Sequence, residues 1–264
     1  MTGPAPRPIG TLTVPRRFRG PSWSGNGGWT AGALAGFLPA GGAGAGAVRV
    51  RLSAPPPLDV PMDVVALAAG GTGGGAVRAV HGERPILEAT AADPADTRCA
   101  ALEEAVVGWA QAERAAAAYP GATGHPFPEC FACGPDRAPG DGLRLAPGPV
   151  AGSPGVVAAP WRPDGDAADG AGVGVPLPLV WAALDCPGGW SVDIVGRPMV
   201  LGTITAAVLR TPGAGERCVV TGTAVEVGGR KARTATLLRG GTGEVLARAT
   251  QVWIAVDPAG FGTP

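Results

Sequence analysis

Apolar residues recur at helical spacing most clearly in residues 175–191, which read VPLPLVWAALDCPGGWS. The predicted apolar face consists of four residues, Leu177, Val180, Trp181 and Leu184. Two prolines fit the first turn, where amides have no partner within the helix: Pro176 and Pro178. Asp185 interrupts this apolar run. Because a buried charge is costly unless it is hydrogen-bonded or paired, the pattern predicts either a capping or ion-paired Asp185 or a functional one.

The remaining pattern predicts the same order of elements twice. In the first half, a strand at 9–19 precedes a helix that begins after Asn26, and further strands follow at 47–54, 63–69, 76–82 and 85–92. In the second half, a strand at 156–163 precedes the Asp185 helix, and strands follow at 199–210, 217–227, 231–239 and 244–256. We therefore expect an N-terminal domain at 1–93, a linking helix and linker at 94–125, and a C-terminal domain at 126–264.

Composition narrows the class of protein. The chain of 264 residues has 21 basic and 21 acidic residues, which argues against a nucleic-acid partner. The 45 Gly and 29 Pro favour many turns and few long helices. The sequence shows neither a signal peptide nor a run long enough to span a membrane, and its five cysteines fit reduced thiols, so we expect a cytoplasmic protein.

Two short motifs are similar to those of a known family. Residues 130–134, CFACG, followed by residues 142–145, GLRL, resemble a stretch that opens many phenylacetyl-CoA-type hotdog thioesterases. Leu184 and Asp185 resemble the Leu-Asp pair on the central helix of those enzymes. The resemblance implies an α+β fold of two fused hotdog domains, each an antiparallel sheet wrapped around a central helix.

A second resemblance, to double-hotdog acyl-CoA thioesterases of the type II class, suggests catalytic residues. It matches Asp185, Thr203 and Gln251 to the Asp, Thr and Gln of that class, with Thr205 as a rival for the Thr position. Asp185 would act as general base, while the Thr and Gln would hold the water. Helix amides could face the thioester carbonyl, and the expected substrate-binding residues are Asn26, Gly27, Gly28 and Trp181.

The chain also departs from these families. The His-Gly-Gly that often precedes the helix is replaced by residues 175–178, VPLP, and Pro187 follows Asp185 closely. The first helix region, residues 20–48, contains no acid, so one full active site is expected, in the second half.

The expected function is hydrolysis of acyl-CoA or acyl-carrier thioesters by Asp-activated water, with no metal or cofactor required. One alternative is a non-catalytic protein that binds acyl-CoA or another small molecule. A second is a hotdog dehydratase or hydratase, which the scarcity of histidine disfavours, since the chain has only His81 and His125. A homo-oligomer of double-hotdog units is a further expectation.

Other motifs carry weaker signals. Cys130 and Cys133 could bind zinc or form a redox pair, but a structural turn with two free thiols is favoured because no second CxxC follows. Cys186 is expected to pack. Residues 71–76 superficially fit a dinucleotide-binding pattern, yet they are interpreted as a hairpin loop. Residues 230–233 with Arg210 could bind coenzyme A phosphates, although a solvated hairpin end is favoured.

Overall fold

The described residues form one antiparallel sheet of eleven strands. The structure is a computed structural model and describes residues 7–38, 44, 46–67, 75–164 and 174–257. The strands are β1 Pro8–Thr13, β2 Ala47–Leu52, β3 Pro61–Leu67, β4 Ala76–His81, β5 Arg84–Ala92, β6 Gly148–Pro149, β7 Val156–Trp161, β8 Met199–Val208, β9 Cys218–Gly228, β10 Lys231–Arg239 and β11 Val245–Ala255. Their order in the sheet is β1-β3-β4-β5-β2-β8-β11-β10-β9-β7-β6.

The sheet order is nearly symmetric about its middle. Strands β2 and β8 lie side by side there, with Val50 opposite Ile204. Outward from β2 come β5, β4, β3 and β1, and outward from β8 come β11, β10, β9 and β7. Each half thus has a strand, a helix and four further strands in the same chain order, as the hydrophobic pattern predicts.

Two helices pack against each other on one face of the sheet. They are α1, Gly27–Ala35, and α5, Leu177–Trp190. Gly28 and Gly32 permit close approach, because a Cβ on either would lie 2.5–2.7 Å from atoms of Asp185 or Trp181. Every residue of α5 from Leu179 to Trp190 is buried, as the apolar run predicts. The helix continues through Pro187 despite the missing amide.

The segment between the halves covers the opposite face of the sheet. It contains α2, Ala100–Glu104, α3, Trp109–Ala117, α4, Gly121–Gly124, and a short 3₁₀ turn, Pro94–Thr97. Residues of α2 and α3 pack with residues of β9 and β10 in a second apolar cluster.

Several predicted bounds were wrong. The linking helix is broken between Glu104 and Trp109, where the chain carries the β-branched pair Val106 and Val107 and then Gly108, all poor helix formers. The first strand ends at Thr13 instead of residue 19 and is followed by a 3₁₀ turn, Arg16–Phe18. Most of the predicted loop at 71–76 lies outside the described residues.

Across the described ranges, no helix has the length and apolar character needed to cross a membrane.

Candidate active site

Asp185 lies where α5 meets the beginning of α1, and only 2% of it is exposed. Its Oδ2 accepts hydrogen bonds from the Gly28 amide at 2.9 Å and from Asn26 Nδ2 at 3.1 Å. Its Oδ1 is buried and has no hydrogen-bond partner among the described residues. Burial raises the pKa of Asp185 to about 7, because desolvation outweighs the two hydrogen bonds that favour the charged form. A carboxyl with such a pKa can take a proton from water near neutral pH.

The N-terminus of α1 is built around this carboxylate. Asn26 caps the helix, because its Oδ1 accepts a hydrogen bond from the Trp29 amide at 2.8 Å. Its Nδ2 can therefore still donate to Asp185. Position 28 requires glycine, because a Cβ there would lie 2.5 Å from Asp185 Cβ. The partial positive charge at a helix N-terminus favours a nearby anion. The beginning of α1 therefore holds one carboxylate oxygen and leaves the other unpartnered.

A cavity of about 310 Å³ opens beside Asp185. Asn26, Gly27 and Asp185 contribute polar groups to its wall, while much of the remaining lining is apolar, including Trp190, Leu201 and Trp253. An apolar cavity with a few convergent polar groups is typical of a small-molecule site.

Gln251 is buried on the helix-facing side of β11 but already has its hydrogen bonds. Its Nε2 donates to the Leu184 carbonyl at 2.9 Å and to Thr236 Oγ1 at 2.7 Å, and its Oε1 accepts from Thr234 Oγ1 at 2.9 Å. Both donor hydrogens of the amide are thus used. Gln251 therefore fixes the peptide immediately before Asp185, which is a positioning contact with the candidate base.

Thr203 and Thr205 lie on the other face of the sheet. Ile204 is paired with Gln251 in the ladder, so these two side chains share the helix-facing side, and the threonines on either side of Ile204 face away. On that face, Thr205 Oγ1 accepts a hydrogen bond from Arg49 Nε at 3.3 Å. The structure therefore does not bring either threonine to the carboxylate.

The four predicted substrate-binding residues fall into different places. Asn26 and Gly27 line the cavity. The Gly28 amide is engaged by Asp185 and is not free for a substrate. Trp181 is 1% exposed and packs against Gly32, and its Nε1 is buried with no partner in the described part of the chain.

Sequence reasoning considered Cys186 separately from Cys130 and Cys133 and did not predict that three sulfur atoms lie together on the same cavity wall. Cys130 and Cys133 lie on the turn after His125, and Cys186 follows Asp185 on α5. All five of these residues line the cavity. The three sulfurs lie within 4.8 Å of one another. The H-x₄-C-x₂-C spacing was visible in the sequence, but the third thiol, far along the chain, could not be assigned to it.

The basic residues considered for phosphate binding are separated. Arg230 lines the cavity, whereas Arg210 pairs with Glu216 and Glu244. Arg210 is therefore neutralised by its own neighbours.

Comparisons with known proteins identify the fold. No protein-family model matches the chain, and no curated protein matches it. Among solved structures, the tesB protein of Mycobacterium avium subsp. paratuberculosis is similar at TM-score 0.56 and 14% identity, over 96% of both chains. A protein from Thermobifida fusca assigned as a thioesterase II is similar at TM-score 0.59 and 17% identity, over 93% of this chain and 94% of that one. A hot dog fold protein from Alicyclobacillus acidocaldarius is similar at TM-score 0.53 and 15% identity, over 96% of both chains.

These neighbours cover nearly the whole chain and confirm the hotdog fold predicted from the two motifs. At these identities the likeness concerns the fold, so the chemistry has to be argued from the cavity and its residues.

Proposed function

We propose that this hotdog-fold protein hydrolyses acyl thioesters with Asp185 as the general base. One observation carries the proposal: the unpartnered Oδ1 of a buried carboxylate that lines an apolar cavity. A buried acid with an unpartnered oxygen is costly for the fold, and a role in catalysis explains why such a cost is retained.

In the proposed reaction, the acyl chain occupies the apolar part of the cavity, with the thioester carbonyl close to the start of α1. Asp185 Oδ1 takes a proton from a water molecule as the water oxygen bonds to the carbonyl carbon. The carbon–sulfur bond then breaks, and the proton held on Asp185 passes to the leaving sulfur, so that the free thiol departs and Asp185 is again a carboxylate. Asn26 and Gly28 keep Oδ2 fixed throughout.

The developing negative charge on the carbonyl oxygen needs a hydrogen-bond donor. Gly27 is the first residue of α1 and lines the cavity, and its amide has no acceptor inside the helix. We assign this amide as the oxyanion donor, a role that typically accounts for a 10²- to 10³-fold change in rate. Gln251 supports the base by fixing the Leu184 carbonyl, and Thr203 has no part in the proposed reaction.

The proposal includes a duplicated architecture and a substrate class. Two hotdog domains, at 1–93 and 126–264 and joined by 94–125, would explain the near-symmetric strand order. Acyl-CoA and acyl-carrier thioesters are the proposed substrates because they present an apolar acyl chain and a reactive carbonyl together. The five cysteines are all free, which fits the reducing cytoplasm that we propose as the location.

The test is turnover of a panel of acyl-CoAs, followed through the released thiol, by the wild type and by Asp185→Asn. We expect the variant to lose about 10²- to 10⁴-fold in rate, because the amide cannot accept the proton from water. Asp63→Asn is the matched control, since Asp63 is an exposed carboxylate on β3. The thermal midpoint of Asp185→Asn should equal or exceed that of the wild type, because a neutral amide is cheaper to bury.

Equal rates in the wild type and Asp185→Asn would remove Asp185 as the base. A thermal shift with acyl-CoA but no thiol release would favour the non-catalytic binding protein. Hydration of an enoyl-CoA would favour the hydratase alternative.

A further inference from the structure

We propose that Cys130, Cys133 and Cys186 form a binding site for one thiophilic metal ion, for which Zn²⁺ is the first candidate. The proposal rests on the sulfur geometry and its hydrogen-bond donors and is independent of the proposed hydrolysis. All three side chains are at least 94% buried, yet all three line the cavity, so an ion can reach them from solvent.

The sulfur positions fit a tetrahedral ion. Zinc binds thiolates at about 2.3 Å, which places the sulfurs of a tetrahedral site about 3.8 Å apart. The sulfurs of Cys130 and Cys186 are 3.7 Å apart, and all three lie within 4.8 Å of one another. Small shifts of the Cys133 side chain would complete the triangle. Three thiolates leave one coordination position, which a water molecule from the cavity can take.

The surroundings donate hydrogen bonds to the sulfurs. Trp190 Nε1 donates to Cys133 Sγ at 3.4 Å, and Asn26 Nδ2 lies 3.7 Å from Cys130 Sγ. Thiolates bound to a metal need such donors, because their charge is only partly neutralised by the ion. Donors aimed at buried sulfur therefore indicate a site built for thiolates.

His125 adds a third donor and is not a ligand. Its Nδ1 accepts a hydrogen bond from the Phe127 amide at 2.9 Å, so the proton of the neutral ring lies on Nε2. Nε2 is 3.2 Å from Cys133 Sγ and thus donates to it. The ring acts as an outer-shell partner of Cys133.

The turn that carries two of the thiols is fixed by the backbone. The Gly134 amide donates to the Cys130 carbonyl at 2.8 Å, and a Cβ at Gly134 would lie 2.3 Å from the Pro128 carbonyl oxygen. The Phe131 amide donates to the Arg19 carbonyl at 2.7 Å. Two cysteines separated by two residues on a fixed turn are a frequent ligand pair for structural zinc. The site therefore needs little rearrangement to accept an ion.

The first experiment uses the wild-type protein without substitutions. Chelator-treated protein is titrated with Zn²⁺ in the presence of a chromophoric zinc indicator, and bound metal is counted by elemental analysis. We expect one equivalent per chain and release of thiol protons on binding. Alkylation followed by peptide mapping should show Zn²⁺ protecting Cys130, Cys133 and Cys186, while Cys99, which is only partly buried, stays unprotected.

The second experiment compares variants. Cys130→Ser, Cys133→Ser and Cys186→Ser should each weaken Zn²⁺ binding by roughly 100-fold, and Trp190→Phe, which keeps all three thiols, by about 10-fold. Cys218→Ser is the control, because Cys218 is a buried free cysteine outside the group. Co²⁺ bound to the wild type should give thiolate charge-transfer absorption that Cys218→Ser retains.

The absence of stoichiometric binding by the wild type would overturn the proposal, as would equal affinity in the three cluster variants and the control. A mass decrease of two hydrogens with a Cys130–Cys186 crosslink, and no metal binding by the reduced protein, would also overturn it in favour of a disulfide. The alkylation result decides the matter if a serine variant fails to fold.

Discussion

The two helices on the inner face begin in opposite ways. Helix α1 begins with Asn26, Gly27 and Gly28, which present a capping amide and main-chain donors. Helix α5 begins after Pro176 and has proline again at its second position, so donors are missing where α1 has them. The same strand–helix–strand order thus produces a donor-rich helix start in the first half and a donor-poor one in the second.

The cavities beside the two helix starts differ accordingly. The cavity at α1 meets the buried Asp185 of the opposite helix. A second cavity, of about 490 Å³, lies at the start of α5 and meets Trp29 of α1, which stacks on Phe18 with ring centroids 4.2 Å apart. Its wall includes Asp164, which is exposed, and α1 itself contains no acid. A near-symmetric strand order therefore does not imply two equal sites. A site like that at α1 needs both main-chain donors at the helix start and a buried carboxylate on the facing helix.

Gly28→Ala should have the largest effect on the α1 end. The added Cβ would lie 2.5 Å from both Asp185 Cβ and the Trp181 carbonyl oxygen, so the two helices must separate. We expect a loss of about 1–3 kcal/mol in the free energy of unfolding, together with loss of the proposed thioester hydrolysis. Denaturant unfolding and the thiol-release assay measure the two effects.

Gly36→Ala is the matched control at the other end of the same helix. Its Cβ would meet nothing closer than 3.5 Å, and its backbone is already helical, so the substitution should be neutral or slightly stabilising. If Gly28→Ala were as stable and active as Gly36→Ala, the close contact between α1 and Asp185 would be of no consequence.

A pair of substitutions at Asn26 should have an intermediate effect and separate its two contacts. Asn26→Ser keeps a side-chain oxygen for the Trp29 amide but removes the donor to Asp185, whereas Asn26→Ala removes both. We expect Asn26→Ala to be less stable than Asn26→Ser by about 1 kcal/mol. Turnover should fall by roughly 10- to 100-fold in both, because a hydrogen bond to a charged group contributes roughly 1.5–3 kcal/mol.

Thermal unfolding and kcat measure the two quantities. Full activity in Asn26→Ser would mean that the Gly28 amide alone holds the carboxylate, and the role of Asn26 would reduce to that of a cap.

The sequence was informative wherever local pattern decides structure. The apolar period around Asp185 predicted a buried helix with an acid, and the polar start at Asn26 predicted the beginning of α1. The contact between Asn26 and Asp185 joins residues 159 positions apart, and no local pattern encodes such a pairing.

Thr203 shows a second limit of local pattern. Alternation places Thr203 and Thr205 on one face but does not say which face. A β-bulge near Gly202 shifts the register, so that Leu201 and Ile204 both face the helices although they are three residues apart. Gly202 is a sign that a bulge is possible, since glycine inside a strand often marks one, but the sequence does not show that the register shifts there. The resemblance to a Thr-containing triad could not correct for it.

Pro178→Ala should have the smallest effect and tests the α5 end of the comparison. The substitution restores an amide in the first turn of α5, where the position lacks an intrahelical partner in any case, so no hydrogen bond of the helix is gained or lost. Without proline the unfolded chain has more conformational freedom, so the free energy of unfolding should fall by about 0.4–1 kcal/mol. Turnover should stay within about twofold of the wild type, since Asp185 and the start of α1 are untouched. A loss of turnover comparable to that of Asn26→Ser, measured in the same assay, would mean that the start of α5 takes part in the reaction, and the two helix starts would then have to be treated as one coupled site.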